Sequence, residues 1–299
     1  MTLQQLKYVV TVAECGNITE AAKQLFVSQP TVTSAIHDLE KEMQIVIFIR
    51  TNKGVILSED GERFLGHARQ VLEQVDLIEG IYKDDVVSKP HFAVSCQHYS
   101  FAVNAFVDVI RKFDAYQYDF TIREEQTHEI IEDVTNLKSE LGVIYLSSKN
   151  TEVLSKMLKR NELEFTELFT ATPHVFICDS HPLASKKNIT MDDLQDYPYL
   201  TYEQGEYNSQ YFSEEFVSTL DSRKNIRVRD RATLFNLIIG LNGYTVCSGV
   251  ISAELNGRNI ISKPLDVDEY MRIGIISRKG VVLSRYAREY IEALKAHCM

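Results

Sequence analysis

The tightest constraint on the fold lies in "AAKQLFVSQPTVTSAIHDLEKEM", residues 21–43. Two helical patterns meet there across Val27 and Ser28, a break too tight for a loop, and Pro30 stands where the second helix begins. Proline costs nothing in a first turn, because the N–H it lacks would be unpaired anyway. The later helix carries Val32, Ile36, Leu39 and Met43 at spacings of 4, 3 and 4, one stripe to bury. Its other face opens with Ser28, Gln29, Thr31, Thr33 and Ser34 and continues with His37 and Lys41. Small hydroxyls and an amide are poor core material and good material for touching something polar.

Two helices lead up to this later one. Thr2 and Gln5 read as a capping box ahead of Leu3, Leu6, Val9, Val10 and Ala13, and Gly16 ends that helix. Asn17 caps the next, with Glu20 three residues on, and the pattern runs through Phe26 with Ala21, Ala22, Leu25 and Phe26 inward. After the third helix, "IVIFIRTNKGVILS" reads as two strands around Thr51-Asn52-Lys53-Gly54, a hairpin. Three helices and a hairpin make a winged helix-turn-helix, whose third helix can enter the major groove. Periodicity alone leaves one alternative, a small helical packing unit with a polar outer face.

Leu6 and the run "AECGNITEAAKQLFVSQPTVTSAIHDLEKEMQIVIFIRTNKGVILSEDG" resemble the LysR-type transcriptional regulators. The alanine pair, the Ser-Gln-Pro, the Leu-Glu late in the third helix and the Phe-x-Arg ahead of a wing all match. Two positions depart: Asn17 replaces the usual serine, and Gln44 stands where the family has a helix-ending glycine, so that turn is expected to be strained or reshaped. The resemblance implies that Ser28, Gln29, Pro30, Thr31, Thr33, Ser34 and His37 face DNA, with Arg50 and Lys53 on phosphate or minor groove. Glutamine suits adenine and threonine methyls suit thymine methyls. For Arg50 a salt bridge to Glu40 or Glu42 is the other reading. Charge gives little help: residues 1–58 hold five basic groups against five acidic ones, in a chain of net charge −10. Any DNA contact must rest on geometry rather than bulk attraction.

From Glu59 a long helical pattern runs without proline. Phe64, Ala68, Val71, Val75, Ile78 and Tyr82 form a heptad seam, spaced 4, 3, 4, 3, 4. Such a seam is covered either by the same helix of a second copy, as the resemblance implies, or by the chain's own winged domain. Asp84 to Pro90 reads as a hinge.

Residues 91–299 alternate strand-like and helical runs, which argues for an α/β domain with a mainly parallel sheet. Helices are expected at 208–220 and 232–241 among others. Two lobes are expected, lobe I from 91–163 and 266–299 and lobe II from 164–265, with crossings near Leu163–Phe165 and Pro264–Tyr270. The expected architecture is thus a winged helix-turn-helix (1–58), a linker and dimerisation helix with hinge (59–90), and a two-lobed α/β effector domain of periplasmic-binding-protein type (91–299). Ligands in such sheets sit beyond strand ends and at helix N-termini. Ser95, Gln97, Tyr99, Ser100, Thr127, Thr201 and Tyr202 are the candidate effector-binding set, with Ser100 and Thr127 alternatively plain N-caps. "HPLASKKNITMDDLQDYPYLTY" is similar to the sulfur-assimilation regulators of the same family, but the loop "SCQHYS" departs from their threonine-rich one.

Other functions fit poorly. Cys96 and His98 lie close in sequence, yet nothing evident orients the histidine for catalysis, so no enzyme activity is expected. Five scattered cysteines without a CxxC argue against a zinc site and for a reducing compartment. Cys96 and Cys247 read either as redox sensors or as small buried hydrophobes. No signal-peptide pattern and no apolar run of about 18 residues occurs, which points to the cytoplasm and away from a membrane. The expected reading is a sequence-specific regulator of promoter DNA, dimeric or tetrameric. It answers to a small polar metabolite, expected to be anionic and drawn from sulfur or amino-acid metabolism, and uses no cofactor or metal.

Overall fold

A computed structural model describes residues 1–52, 54–82, 90–113, 117–207, 209, 211–215 and 222–298. It divides into two compact units, Met1–Lys89 with Asn136–Lys138, and Pro90–Thr135 with Ser139–Met299. Lys53 and the segment 83–89, which holds all of the expected hinge except Pro90, lie outside the described residues.

The first unit opens with α1 (Leu3–Cys15), α2 (Ile18–Gln24) and α3 (Gln29–Met43). Each N-cap is present: the Thr2–Gln5 capping box, Asn17 accepting from the Thr19 and Glu20 N–H groups, and Ser28 accepting from the Thr31 N–H. Gly16 closes α1 in the left-handed conformation. The strands β1 (Phe48–Thr51) and β2 (Gly54–Leu57) pair antiparallel as the wing. Val9, Val12, Ala21, Ala22, Val32, Ile36, Leu39 and Ile47 fill the core between them.

One residue leaves that pattern. Helix α2 stops at Gln24, and Phe26 sits at φ 54° with 95% of its surface exposed. The 3.6-residue period places Phe26 inward only if the helix continues. Instead the N–H of Val27 returns to the Ala22 carbonyl and that of Phe26 to Lys23, which turns the chain and swings the ring out.

Gln44 ends α3 at φ 56°, ψ 36°, so a glutamine holds the left-handed cap that the sequence flagged. A residue with a Cβ pays for this conformation and glycine does not. Gln44→Gly is therefore expected to raise the stability of the winged unit by about 0.5–1 kcal/mol in denaturant unfolding, net of the glycine's larger unfolded-state entropy.

Helix α4 (Glu59–Tyr82) follows. Leu65 is buried in the winged core and Phe64 packs against it, while Ala68 is buried within the chain. At the seam's first two positions Phe64 is thus half-buried against the winged core and Ala68 is buried. Val71 and Ile78 are exposed. The Tyr82 side chain lies outside the described residues.

The second unit runs β3 (His91–Cys96), α5 (Ser100–Phe113), β4 (Asp119–Glu124), α6 (Thr127–Thr135), β5 (Leu141–Leu146), α7 (Thr151–Arg160), β6 (Leu163–Ala171) and β7 (His174–Cys178). It continues through β8 (Tyr199–Tyr202), β9 (Asn225–Val228), α8 (Arg231–Leu241), β10 (Thr245–Cys247), α9 (Ala253–Asn256), β11 (Ile260–Pro264), β12 (Met271–Arg278) and α10 (Arg285–Cys298). The first lobe's sheet has the order β4-β3-β5-β12-β6. Its β4, β3 and β5 are parallel, while β12 runs antiparallel to both β5 and β6. Helices α5 and α10 cover one face around Phe92, Val94, Phe106 and Tyr290, and α6 and α7 cover the other around Ile130, Ile144 and Leu154.

Three expectations need correction. Strand β6 belongs to the first sheet, because β12 pairs along it from Leu163 to Ala171. The first crossing therefore lies between Ala171 and His174 rather than near Leu163–Phe165. The second lobe is also less parallel than expected: β10 and β11 both run antiparallel to β7, while β8 and β9 form a parallel pair. The helix read at 208–220 is not formed where it is described. Gly205–Tyr207 is a single 3₁₀ turn and residues 211–215 are turns and bends; 208, 210 and 216–220 lie outside the described residues.

Candidate functional site

On α3, the residues expected to read DNA share one exposed end. Ser28, Gln29, Pro30, Thr31, Ser34 and His37 are exposed, and Thr33 is half-buried. The Gln29 amide donates to the Thr33 hydroxyl one turn on (2.7 Å), and the Ser28 and Thr31 hydroxyls lie 2.7 Å apart. Gln29 is thus held by its own helix in a pose that leaves its carbonyl oxygen for another partner. Arg50 is exposed on β1, opposite Val55. Both acids that stood as its alternative partners are engaged elsewhere. Glu40 accepts from the N–H groups of Ile47 (2.7 Å) and Phe48 (3.1 Å), and Glu42 binds the α-amino group of Met1.

In the second unit, the chain brings both lobes around a narrow cavity of about 40 Å³, room for water and no more. Of the expected set, Tyr99, Ser100 and Tyr202 line it. Gln97 and Thr127 meet beside it: the Gln97 amide donates to the Thr127 hydroxyl (2.7 Å), and the Gln97 carbonyl oxygen accepts from the Tyr145 N–H and the Tyr99 hydroxyl (both 3.0 Å). The Thr127 N–H donates to Gln204 (3.1 Å) and its hydroxyl to the Phe212 carbonyl (2.8 Å), both from the second lobe. Thr127, one of the two residues alternatively read as plain N-caps, is the first residue of α6 and holds these contacts to Gln97 and the second lobe.

Ser95 and Thr201 are not part of this cavity. Alternation along β3 sends Phe92, Val94 and Cys96 toward α5 and α10, and Ser95 toward α6. There its hydroxyl meets Asp133 (2.8 Å) and Ser139 (2.9 Å), with Arg123 and Glu125 beside them. Burial, then the neighbouring Asp133, lifts the Glu125 carboxyl to about 7. Thr201 lies on the opposite face of β8 from Tyr202 and does not line the cavity.

The chemistry of the cavity comes from residues outside the expected effector-binding set. His98, Glu214, Glu215 and Arg231 all line it. The Glu214 carboxylate accepts from the His98 N–H (2.9 Å), lies 2.8 Å from His98 Nδ1 and accepts from the Gln204 amide (3.1 Å). Both the His98 and Glu214 side chains are only 4% exposed. Tyr202 stacks flat on the imidazole, ring centroids 3.9 Å apart and planes at 7°. Burial alone would lower the His98 pKa, but the charge and hydrogen bond of Glu214 outweigh it and hold it above its ordinary value. Glu215 accepts from the Tyr202 N–H (2.6 Å) and the Ser213 hydroxyl (2.9 Å). Burial and the adjacent Glu214 push its carboxyl up to about 8. Arg231, at the start of α8, pairs with Glu124 at the end of β4 (3.0 Å). Two signals were available: His98, set aside because nothing in the sequence orients it although Glu214 does so in the fold, and the Glu214–Glu215 pair, which falls inside the helix expected at 208–220.

Two family models match the chain. Residues 3–62 match the bacterial regulatory helix-turn-helix protein, lysR family, and residues 96–299 match the LysR substrate binding domain. OxyR of Escherichia coli K12, a DNA-binding transcriptional dual regulator, is 22% identical over 99% of this chain and 95% of its own length. The regulator CysB of Burkholderia cenocepacia is 29% identical over 68% of this chain and 63% of its own. Among solved structures, a full-length OxyR variant from Pseudomonas aeruginosa superposes with a TM-score of 0.64 at 21% identity, covering 99% and 98% of the two chains. Full-length CbnR complexed with its target DNA gives 0.57 at 18%, covering 99% and 100%. These likenesses establish the fold, and among the described residues no helix is long and apolar enough to cross a membrane. With only residues 1–2 and the stretch from 63 to 95 outside the two models, the chain belongs to the LysR family of DNA-binding transcriptional regulators with an effector-binding domain.

Proposed function

We propose that this regulator binds its operator as a dimer, through Gln29 and its neighbours on α3, and answers to a small zwitterion of the amino-acid type. The observation that carries the ligand class is the lining of the inter-lobe cavity. Glu214 and Glu215 suit an ammonium group, and Ser100 at the N-terminus of the 14-residue helix α5 suits a carboxylate. The aromatic walls Tyr99, Phe176, Tyr202 and Phe235 suit a short apolar body between them. At about 40 Å³ the cavity must widen to admit such a molecule, and that gives the ligand its differential affinity for two lobe arrangements. The dimer reading rests on the outer part of the seam, where Val71 and Ile78 are exposed at helical spacing.

The test is a footprint on the DNA upstream of the protein's own gene. Free amino acids and sulfur metabolites are compared with their N-acetyl and C-amide forms. The reading expects one free amino acid to change the protection and both of its blocked forms to fail. A response to a blocked form would overturn it. In the same assay Gln29→Ala is expected to weaken specific binding by about tenfold or more, with the footprint's ligand response unchanged at saturating protein.

Some relatives carry the name hydrogen peroxide-inducible genes activator. A peroxide-reactive cysteine is a thiolate in an accessible, electropositive setting. Here burial raises the thiols of Cys96 and Cys247 strongly, and pushes Cys298 up to about 12. Cys15 is raised too, by desolvation and then by Glu20 and Glu14. These settings favour a metabolite over peroxide as the signal.

A further inference from the structure

We propose that Phe26 is a DNA-contacting residue, laid by the helix-turn-helix turn against the apolar carbon surface of the operator beside the α3 N-terminus. Its ring is 95% exposed, the most exposed large hydrophobic side chain among the described residues. It also holds φ 54°, a conformation that disfavours a bulky side chain and suits asparagine or glycine. Neither burden is relieved within the winged unit, because Phe26 is not among the residues of its core. The turn is well fixed, with the Phe26 N–H on the Lys23 carbonyl (3.1 Å) and the Val27 N–H on Ala22 (3.0 Å). The ring is therefore presented by a set backbone.

Its position names the occupant. Phe26 stands two residues before Ser28, the N-cap of α3, so it is continuous with the Ser28–Gln29–Thr31 end, and the inference rests on the proposal above that this end reads DNA. The reading head holds equal numbers of acidic and basic groups. Its affinity must draw more than usual on contacts other than phosphate neutralisation, and apolar burial is one such contact. The carbon surface available at a groove margin is either the thymine C5-methyl group or the deoxyribose edge. A phenyl ring covers either.

The discriminating variant is Phe26→Asn, which keeps the left-handed turn and removes the ring. Wild type and variant are titrated, as full-length protein, onto duplexes that wild type has selected from a random pool, across a range of salt. Loss of a buried phenyl group is expected to weaken binding by about ten- to a hundredfold. The slope of log affinity against log salt should stay unchanged, because no phosphate contact is lost. The melting temperature should hold or rise, since asparagine accepts the turn. Replacing thymine by deoxyuridine in the duplex separates the two surfaces: a wild-type loss absent in the variant assigns the methyl group, and no wild-type loss assigns the sugar. Equal affinity of variant and wild type would overturn the proposal. So would a lowered melting temperature with affinity falling in step, which would make Phe26 a folding residue.

Discussion

Removing the imidazole in His98→Ala is expected to cost the effector unit about 3 kcal/mol at pH 6, measured by denaturant unfolding. The reason is what remains. Glu214 stays buried, keeping the His98 backbone N–H and the Gln204 amide as donors but losing the positive ring 2.8 Å away. Breaking one side of a buried ion pair leaves an uncompensated charge, and the two surviving donors place the loss at the low end of that range. His98→Gln, which can donate without charge, should recover part of it. A loss below about 1 kcal/mol would show that the imidazole is not charged in the folded state.

The pH dependence follows with a definite sign. His98 has a folded pKa above its unfolded value, so its contribution is complete below about 6.5 and is lost as pH rises through the folded pKa. Glu215 is raised to about 8, so between the ordinary carboxyl range and pH 8 the folded state binds more protons than the unfolded one. Stability falls with rising pH over that interval as well. Glu125, raised to about 7, acts in the same direction. Wild type should therefore melt lower at pH 9 than at pH 6, and the His98→Ala penalty should shrink as pH rises through the folded pKa of the imidazole.

The second large effect is expected in the wing. Gly54 has φ 139°, and a Cβ there would lie 2.3 Å from the backbone oxygen of Gly16. That oxygen is already held by the Val55 N–H at 2.9 Å, so the clash meets backbone on both sides. Gly54→Ala is expected to destabilise the winged unit by about 2–4 kcal/mol, combining strained dihedrals with a contact that must open. DNA binding should suffer with it, because Arg50 is in register with Val55 and its position depends on this strand pair. If Arg50 holds a phosphate, the salt slope should drop by about one unit in the variant. Gly257→Ala is the control: φ is 73° there, but a Cβ would meet open space. It should cost only about 1 kcal/mol, the conformational part alone.

The amino-acid sequence by itself determined the reading head. The caps at Thr2, Asn17 and Ser28, the stripe Val32–Ile36–Leu39 and the αL demand at Gln44 are all set by partners within four residues, and the structure has each of them. Alternating α and β runs likewise announced the two-lobed α/β effector unit. What tertiary structure alone decided was every feature settled by distant closure. The α2 period pointed Phe26 inward, and a turn held by Ala22 and Lys23 pointed it out. Strand β6 read as the start of the second lobe until β12, about a hundred residues later, claimed it as an edge partner. The cavity's chemistry depends on His98 meeting Glu214 across 116 residues. Local propensity extends over one helical turn or one strand, so it can state which groups a segment offers. Which of them meet in a buried site is set by packing between segments, where the low dielectric gives a carboxylate and an imidazole their force.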